Sequence, residues 1–220
     1  MFITYFVFIL LYFSLNILLY KYSYNLKLVD KPNLRKIHSS PTPFIGGIAI
    51  LLPFYIFTFY YEKDSLYLTI VFLSLPIFLI SILDDIFELD FKFRLFAQIF
   101  CTFIVILNGI NIENLNYDND ININLGLFNY VFTFFCIIVF MNSINFIDGI
   151  DGLASGSIIL SIINIIFFSF FFENFSINTS IYLLLILLIL FFFQNLNIFN
   201  KKIFLGDSGS QTLGFLLGCY

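Results

Sequence analysis

The chain has 220 residues, of which 60% are hydrophobic and 11% are charged, and its mean hydropathy is +1.00. Soluble domains carry about 25% charged residues, so the composition excludes an ordinary soluble protein and predicts an integral membrane protein. The net charge of −4 gives no reason to expect a nucleic-acid partner, and the three cysteines lie in apolar runs without metal-type spacing.

Eight apolar runs follow one another along the chain. A membrane span needs about 20 apolar residues, or fewer where a helix is short or tilted. The runs cover residues 2–20, 45–61, 66–83, 95–110, 127–141, 158–172 and 181–193, and an eighth starts at residue 213. The predicted fold is therefore all-α, a polytopic membrane bundle of seven transmembrane helices plus a truncated eighth. Since the helices pack on one another, residues 1–220 are predicted to form a single membrane domain.

The basic residues predict an orientation for this bundle. With seven alternating crossings, all of them except Lys63 fall on one side of the membrane. By the positive-inside rule this side is the cytoplasm, so the N-terminus is predicted to lie outside. The acidic residues on the cytoplasmic side are Asp30, Asp84, Asp85, Glu88, Asp90, Asp148, Asp151 and Asp207.

Four polar segments share this cytoplasmic face: residues 30–47, 84–98, 145–156 and 206–210. Carboxylates at the edge of a bilayer are costly unless they hold a cation or a ligand. Mg²⁺ prefers hard oxygen ligands and commonly takes one or two carboxylates plus substrate phosphates. Lys and Arg neutralise the remaining phosphate charge. The segments therefore indicate a Mg²⁺–phosphate site, with the active-site loops on the cytoplasmic face.

Taken singly, each feature has a simpler explanation. Segment 145–156 could be a Gly-rich turn between membrane helices, and Asp84 and Asp85 could be a solvated helix end. If that helix continues, these two side chains point about 100° apart, which favours two different roles over two equivalent ligands. A lone His38 is more often a plain loop residue, and residues 201–202 are most simply a topology anchor.

Together and in this order, the four segments resemble the polyprenyl-phosphate N-acetylhexosamine-1-phosphate transferases. The closer likeness is to bacterial undecaprenyl-phosphate GlcNAc-1-phosphate transferases, and the more distant one is to the phospho-MurNAc-pentapeptide transferase. The matching elements are Arg35-Lys36-x-His38 before Pro-x-Pro and Gly46-Gly47; Asp84-Asp85 with Lys92; Asn142-x-x-Asn145-x-x-Asp148-Gly-x-Asp151-Gly; and Gly206-Asp207-x-Gly-Ser.

The resemblance implies transfer of a sugar-1-phosphate from a UDP-sugar to a polyprenyl phosphate lipid in the bacterial cytoplasmic membrane, with release of UMP. It implies Mg²⁺ as cofactor, with Mn²⁺ as an alternative. Asp84 and Asp85 are implied as the catalytic pair, and Asp207 and Asn145 as metal ligands. The residues implied in substrate binding are Asp148, Gly149, Asp151, Lys92, Arg94, Arg35, Lys36 and His38.

The sequence also departs from the family pattern. Phe44 stands where many relatives carry Arg, and the family's later helices and His-bearing loop lie beyond this sequence. An inactive truncated remnant is therefore one alternative. A membrane transporter with a cytoplasmic divalent-cation site is another alternative. Charges in mid-span would favour a transporter, but the carboxylates gather at one surface, which favours an enzyme. The sugar, the pathway and the choice between monomer and homodimer stay open.

Overall fold

The structure is a computed structural model that describes residues 2–30, 41–118, 121–171 and 177–220. In these residues it contains eight helices and four short strands. The helices are α1 (Phe2–Tyr22), α2 (Gly46–Tyr61), α3 (Ser65–Phe87), α4 (Phe91–Leu107), α5 (Phe128–Ile147), α6 (Leu153–Ser169), α7 (Thr179–Asn195) and α8 (Asp207–Gly218). Each predicted apolar run falls on one of them, which confirms the helical bundle.

Local sequence signals explain where several helices begin and end. The Asp64 carboxylate accepts hydrogen bonds from the first backbone N–H groups of α3, and Asp90 does the same for α4. Such N-caps satisfy donors that have no partner within the helix. Helix α3 ends at Phe87. The next residue, Glu88, has a φ of 50° in the left-handed region, which stops the helix after the two carboxylates of its last turn.

The strands form two small antiparallel pairs. β1 (Val29–Asp30) pairs with β2 (Thr42–Pro43), and β3 (Asn114–Asp118) pairs with β4 (Ile121–Asn124). The second pair is a hairpin between α4 and α5, at the end of the bundle away from the Asp85 carboxylate. Hydropathy does not predict these strands, because Asn and Asp weaken the strand signal of the alternating apolar residues.

Three helices of the described residues are long and apolar enough to cross a membrane: α1, α3 and α5. Three shorter apolar helices, α2, α6 and α7, have 16 or 17 residues each. The seven crossings and the orientation therefore stay predictions. Large apolar side chains such as Phe96 and Phe135 are exposed on the outside of the bundle, which suits contact with lipid.

Helix α8 lies at the centre of the bundle, mainly against α3 and α5, and its residues 208–216 are all buried. Small residues allow this close approach. A Cβ atom added to Gly209 would lie 2.8 Å from the Gly47 Cα atom, and one added to Gly214 would lie 2.8 Å from the Met141 Cα atom. The helix begins at Asp207, six residues before the apolar run at Leu213, so the polar motif forms its first turns.

The segment that leads into α8 is tied to the segment that leads into α2. The Gly46 N–H donates to the Phe204 carbonyl at 2.9 Å, and the Gly47 N–H donates to the Leu205 carbonyl at 2.8 Å. Gly206 then turns the chain into α8 with a φ of 79°, a conformation that favours glycine. These contacts fix the point at which α8 begins, and with it the position of the polar side chains described next.

Candidate active site

The last turn of α3 carries two adjacent carboxylates that have different partners. Asp84 Oδ2 lies 2.9 Å from Arg94 Nη1 at the start of α4. Asp85 accepts hydrogen bonds from the backbone N–H groups of Asp207 and Ser208, at 3.0 and 3.1 Å. These N–H groups have no acceptor within α8. The Asp85 carboxylate therefore caps α8 and lies at the positive end of its dipole.

Asp207, the first residue of α8, connects this pair to α4 and α5. Its Oδ2 atom forms an ion pair with Arg94, and its Oδ1 atom accepts a hydrogen bond from Asn145 Nδ2 at 2.9 Å. The same Asn145 amide donates to Ser210 Oγ at 2.9 Å. Arg94 thus lies between Asp84 and Asp207. A guanidinium group in this position offsets the repulsion between two carboxylates and fixes their separation.

Asp148 follows the last residue of α5 and faces the same space. Burial raises the pKa of Asp148 well above its ordinary value, and the charges of Asp207 and Asp85 raise that pKa further. A backbone hydrogen bond from Gly206 opposes the shift. The four carboxylates Asp84, Asp85, Asp148 and Asp207 are called the carboxylate cluster below. Burial is the larger cause of the raised pKa of Asp148, and the neighbouring carboxylates add to it.

The turn between α5 and α6 is held to the segment before α8 by two contacts. Asn195, which is buried at the end of α7, accepts a hydrogen bond from the Gly152 N–H at 2.6 Å. It also donates from Nδ2 to the Ile203 carbonyl at 2.9 Å. Lys202 forms an ion pair with Asp151 nearby. One buried amide and one half-exposed ion pair therefore join the two loops that carry Asp148 and Asp207.

These residues surround a cavity of about 910 Å³. Among the described residues, its lining contains seven carboxylates and two cationic side chains, together with apolar groups. The charged residues are Asp30, Asp84, Asp85, Glu88, Asp148, Asp151 and Asp207 on the acidic side and Arg94 and Lys202 on the basic side. Such an excess of negative charge is unfavourable without a counter-charge, so the lining suits a bound cation.

The sequence matches known proteins over most of its length. The model of glycosyl transferase family 4 matches residues 67–220. The chain belongs to glycosyl transferase family 4. The undecaprenyl-phosphate alpha-N-acetylglucosaminyl 1-phosphate transferase of Escherichia coli strain K12 is 32% identical to it over 196 residues, which are 86% of this chain and 53% of that protein.

A second relative comes from the other branch of the predicted resemblance. The phospho-N-acetylmuramoyl-pentapeptide-transferase of Dictyoglomus thermophilum is 30% identical over 184 residues, which are 80% of this chain and 57% of that protein. The resemblance inferred from the four segments is thus confirmed at the level of the family. The chain spans about half the length of the curated relatives it matches.

The oxygen donors of this family 4 chain fit a divalent cation that is held in part by substrate. Among residues 2–30, 41–118, 121–171 and 177–220, no three His, Cys, Asp or Glu side chains form a metal site by themselves. Mg²⁺ does not require such a set, because it usually combines one or two carboxylates with water and substrate phosphates. Asp207 beside the Asn145 amide, with Asp85 and Asp148 adding negative charge, is a donor set of this kind. Mn²⁺ accepts the same oxygen ligands.

The structure brings most of the predicted site residues together. Those that line the cavity are Asp84, Asp85, Arg94, Asp148, Gly149, Asp151 and Asp207. Asn145 donates a hydrogen bond to Asp207, one of these lining residues. Lys92 is not among the lining residues: its side chain is 75% exposed and its ammonium group lies 3.7 Å from Asp90. Because Lys92 and Arg94 are two positions apart on α4, they cannot point the same way. Arg35, Lys36 and His38 lie outside the described residues.

Sequence reasoning missed several residues of the site. Lys202 was assigned to membrane topology, yet it lines the cavity and pairs with Asp151. Glu88 and Phe204 line the cavity as well, and Asn195 holds its loops together. Spacing could have indicated Lys202 and Phe204, because both lie within four residues of the Gly206-Asp207 motif. No local signal marks Asn195, since an Asn at a helix end is ordinary in a chain so rich in Asn.

Proposed function

We propose that this protein transfers a sugar-1-phosphate, GlcNAc-1-phosphate or a related N-acetylhexosamine-1-phosphate, from a UDP-sugar to undecaprenyl phosphate and releases UMP. This would be the first membrane step of a cell-envelope polysaccharide pathway, at the cytoplasmic face of the bacterial inner membrane, with the N-terminus outside. One observation carries the proposal: the carboxylate cluster, Arg94 and Asn145 converge from four helices on one open cavity. The names of the family 4 relatives support the substrates.

The reaction is a displacement at phosphorus. An oxygen of the lipid phosphate attacks the sugar-bearing phosphorus of the UDP-sugar, and the bond from that phosphorus to the bridging oxygen of UMP breaks. Phosphoryl transfer needs in-line positioning and neutralised charge more than covalent help from the protein. When bound, Mg²⁺ or Mn²⁺ supplies a Lewis acid that polarises a phosphoryl oxygen and offsets charge. Asp207, with Asn145 beside it, would hold that cation, and Arg94 would contact the phosphates.

The partners of the two adjacent carboxylates support two different roles. Both Asp85 oxygens accept N–H bonds from the first turn of α8, so Asp85 would hold Asp207 in place. Asp84 contacts Arg94 through one oxygen, so Asp84 would position the lipid phosphate together with Arg94. If that phosphate arrives protonated, Asp84 would also serve as the base that accepts the proton as the attacking oxygen is aligned.

The nucleotide would lie along the turn between α5 and α6. Asp148, Gly149 and Asp151 of this turn line the cavity, and the family resemblance assigns the uracil to Asp151. Asp151 forms an ion pair with Lys202, so a uracil N–H must compete with the Lys202 ammonium group for that carboxylate. A released Lys202 would then be free to approach the diphosphate, which would bring a second cation to the phosphates beside Arg94.

The test is a transferase assay in membranes that contain the full-length protein. Labelled UDP-GlcNAc and undecaprenyl phosphate are supplied with Mg²⁺, and lipid-linked sugar and UMP are measured. The variant Asp207→Asn is expected to lose activity by about 10² to 10³, since an electrostatic group at the reacting phosphates is removed. Asp90→Asn is the matched control, because it makes the same charge change at the same end of the bundle and Asn still caps a helix.

Chelation of divalent cations should abolish transfer, and Mg²⁺ or Mn²⁺ should restore it. No lipid-linked sugar from any UDP-N-acetylhexosamine, or equal turnover by Asp207→Asn and the wild-type protein at saturating Mg²⁺, would overturn the proposed function. Accumulation of free sugar phosphate without a lipid product would instead indicate a hydrolase.

A further inference from the structure

A second set of polar side chains lies directly beneath the site, on the same four helices. Each member is three or four residues from a site residue, so one helical turn, about 5.4 Å, separates the two levels. The pairs are Ser81 with Asp84 on α3, Gln98 with Arg94 on α4, Asn142 with Asn145 on α5, and Gln211 with Asp207 on α8. The deeper set, Ser81, Gln98, Asn142 and Gln211, is called the amide layer.

One chain of hydrogen bonds runs through the amide layer. Asn142 Nδ2 donates to Gln98 Oε1 at 3.2 Å, and Gln98 Nε2 donates to Gln211 Oε1 at 3.2 Å. Ser81 Oγ donates to the same Gln211 oxygen at 3.4 Å. The side chains of Ser81, Gln98 and Gln211 are at most 3% exposed. A buried amide that loses its partner in an apolar bundle is costly, so the chain of bonds favours one arrangement of the four helices.

Two of the closest contacts of helix α8 are made at glycines, where no side chain interlocks with the neighbouring backbone. It packs against its neighbours through Gly209 and Gly214, whose missing side chains leave backbone against backbone. Glycine faces bring helices close but provide no bulky side chain that would resist rotation about the helix axis. A rotation by one residue, about 100°, would move Asp207 away from Arg94 and Asn145. The amide of Gln211, one turn below, opposes that rotation.

We propose that the amide layer is a positioning device: Gln98 and Gln211 set the rotation of α4 and α8, so that Arg94, Asn145 and Asp207 meet around the divalent cation. Neither glutamine touches the reacting groups, so both are positioning residues. The inference rests on the proposed function, since it explains how that site is held in its geometry. The simpler alternative is that the amide layer only adds stability between helices, as polar residues in membrane bundles do.

The experiment replaces each glutamine by methionine, which has a similar volume and no amide. Gln98→Met, Gln211→Met and the double variant are compared with the wild-type full-length protein for kcat, KM and the Mg²⁺ concentration at half-maximal rate. Residues that hold metal ligands in place typically contribute 10- to 100-fold, so kcat is expected to fall about 10-fold or more. The Mg²⁺ requirement should rise by a similar factor, while KM for UDP-GlcNAc changes less than about twofold. The double variant should be no worse than the poorer single variant, because both break one chain of bonds.

Ser74→Ala is the matched control. Ser74 is fully buried in α3 and shares a 2.8 Å hydrogen bond with Tyr55 of α2, but it lies about 15 Å along the helix from Asp84. It should lower the melting temperature as the glutamine variants do and leave kcat and the Mg²⁺ requirement unchanged. If Ser74→Ala changes these two quantities as much as Gln211→Met does, or if neither glutamine variant changes them, the proposal is wrong.

A second measurement separates this proposal from the proposed function. Mn²⁺ binding to the purified proteins is followed by electron paramagnetic resonance with UMP present to supply a phosphate ligand, and with neither sugar nor lipid. Binding that is weaker in Gln211→Met than in the wild-type protein and Ser74→Ala supports the amide layer, even if the wild-type protein transfers no sugar and the proposed function fails. Equal Mn²⁺ affinity in all three proteins overturns the amide layer, even if transfer is observed.

Discussion

Helices α7 and α8 both begin at a carboxylate that comes from another part of the chain. Glu62, just after α2, accepts hydrogen bonds from the Ser180 N–H at 2.6 Å and from Thr179 Oγ1 at 2.7 Å at the start of α7. Asp85 accepts hydrogen bonds from the first two N–H groups of α8, at 3.0 and 3.1 Å. In both places an anion satisfies donors at the positive end of a helix dipole.

The surroundings of the two caps are very different. Around Glu62, neutral groups bond to one another, such as Tyr67 Oη with Ser180 Oγ at 2.8 Å and Tyr220 Oη with Asn178 Oδ1 at 3.2 Å. Around Asp85 there are further carboxylates and an open cavity. A carboxylate cap alone is therefore a structural feature. It becomes part of a candidate site where further carboxylates gather around an open cavity.

The largest difference between the two caps is expected from alanine substitution. Glu62→Ala and Asp85→Ala should each lower the free energy of unfolding by about 0.5–2 kcal/mol, the usual cost of a lost N-cap. Only Asp85→Ala should also lower transferase activity, by about 10²-fold, because a shift of Asp207 by about 1 Å is enough for such a loss. Thermal unfolding and the lipid-linked sugar assay measure the two effects on the same samples. Equal activity in the two variants would remove the distinction drawn between the caps.

A smaller effect is expected from Asp148, through pH. Burial, together with the charges of Asp207 and Asp85, raises the pKa of Asp148 in the folded protein. The folded state therefore holds this proton more tightly than the unfolded state does. The ionised carboxylate costs stability at pH values above the raised pKa, and the cost disappears as pH falls through that pKa towards the ordinary value of about 3.9.

Asp148→Asn removes this cost, since its amide cannot ionise. Without divalent cations, the variant should melt at a higher temperature than the wild-type protein at pH 8, and the difference should shrink as the pH is lowered. Added Mg²⁺ should reduce the difference at pH 8, because a cation near the carboxylate cluster favours the ionised form. The companion variant Asp64→Asn, at the opposite end of the bundle, serves as control. If the wild-type protein is more stable than Asp148→Asn at pH 8 without divalent cations, the assigned direction of the pKa shift is wrong.

The sequence was sufficient to predict the helices and the grouping of the acidic residues. Apolar runs predict helices because backbone groups that have no hydrogen-bond partner in lipid are costly. Alternate loops lie on the same side of a membrane however the helices pack. For this reason Asp84, Asp148 and Asp207 could be assigned to one face without coordinates. Helix boundaries were less accurate at the site, since α5 extends to Ile147 and α8 starts at Asp207, beyond their apolar runs.

Pairwise contacts could not be predicted in this way. The capping of α8 by Asp85, the ion pair of Lys202 with Asp151, and the bond from Gln98 to Gln211 all join residues distant in sequence. They depend on the rotation of each helix about its axis, which side-chain packing and buried polar contacts decide and hydropathy does not report. Lys92 illustrates the same limit, because its two-residue spacing from Arg94 directs it away from the cavity that Arg94 lines.

The smallest expected effect concerns Lys202. Its ion pair with Asp151 is partly exposed, with side-chain exposures of 26% and 46%, and such pairs contribute about 0–1 kcal/mol to stability. Lys202→Met should therefore melt close to the wild-type protein. The lost charge should matter more for substrate, because Lys202 is one of only two cations among seven carboxylates in the described lining of the cavity. A UDP-sugar adds the negative charge of its diphosphate to this acidic cavity. In Lys202→Met the KM for the UDP-sugar should therefore rise about two- to fivefold with kcat nearly unchanged, which is the size of effect that a screened charge contributes.

Lys201→Met changes the same charge at the neighbouring exposed position, which does not line the cavity, and it should leave KM unaltered. The increase in KM should also diminish at high ionic strength, because salt screens an interaction that is partly open to solvent. If Lys201→Met and Lys202→Met raise KM equally, the two lysines act only through net charge at the membrane surface, and Lys202 has no separate role in the cavity.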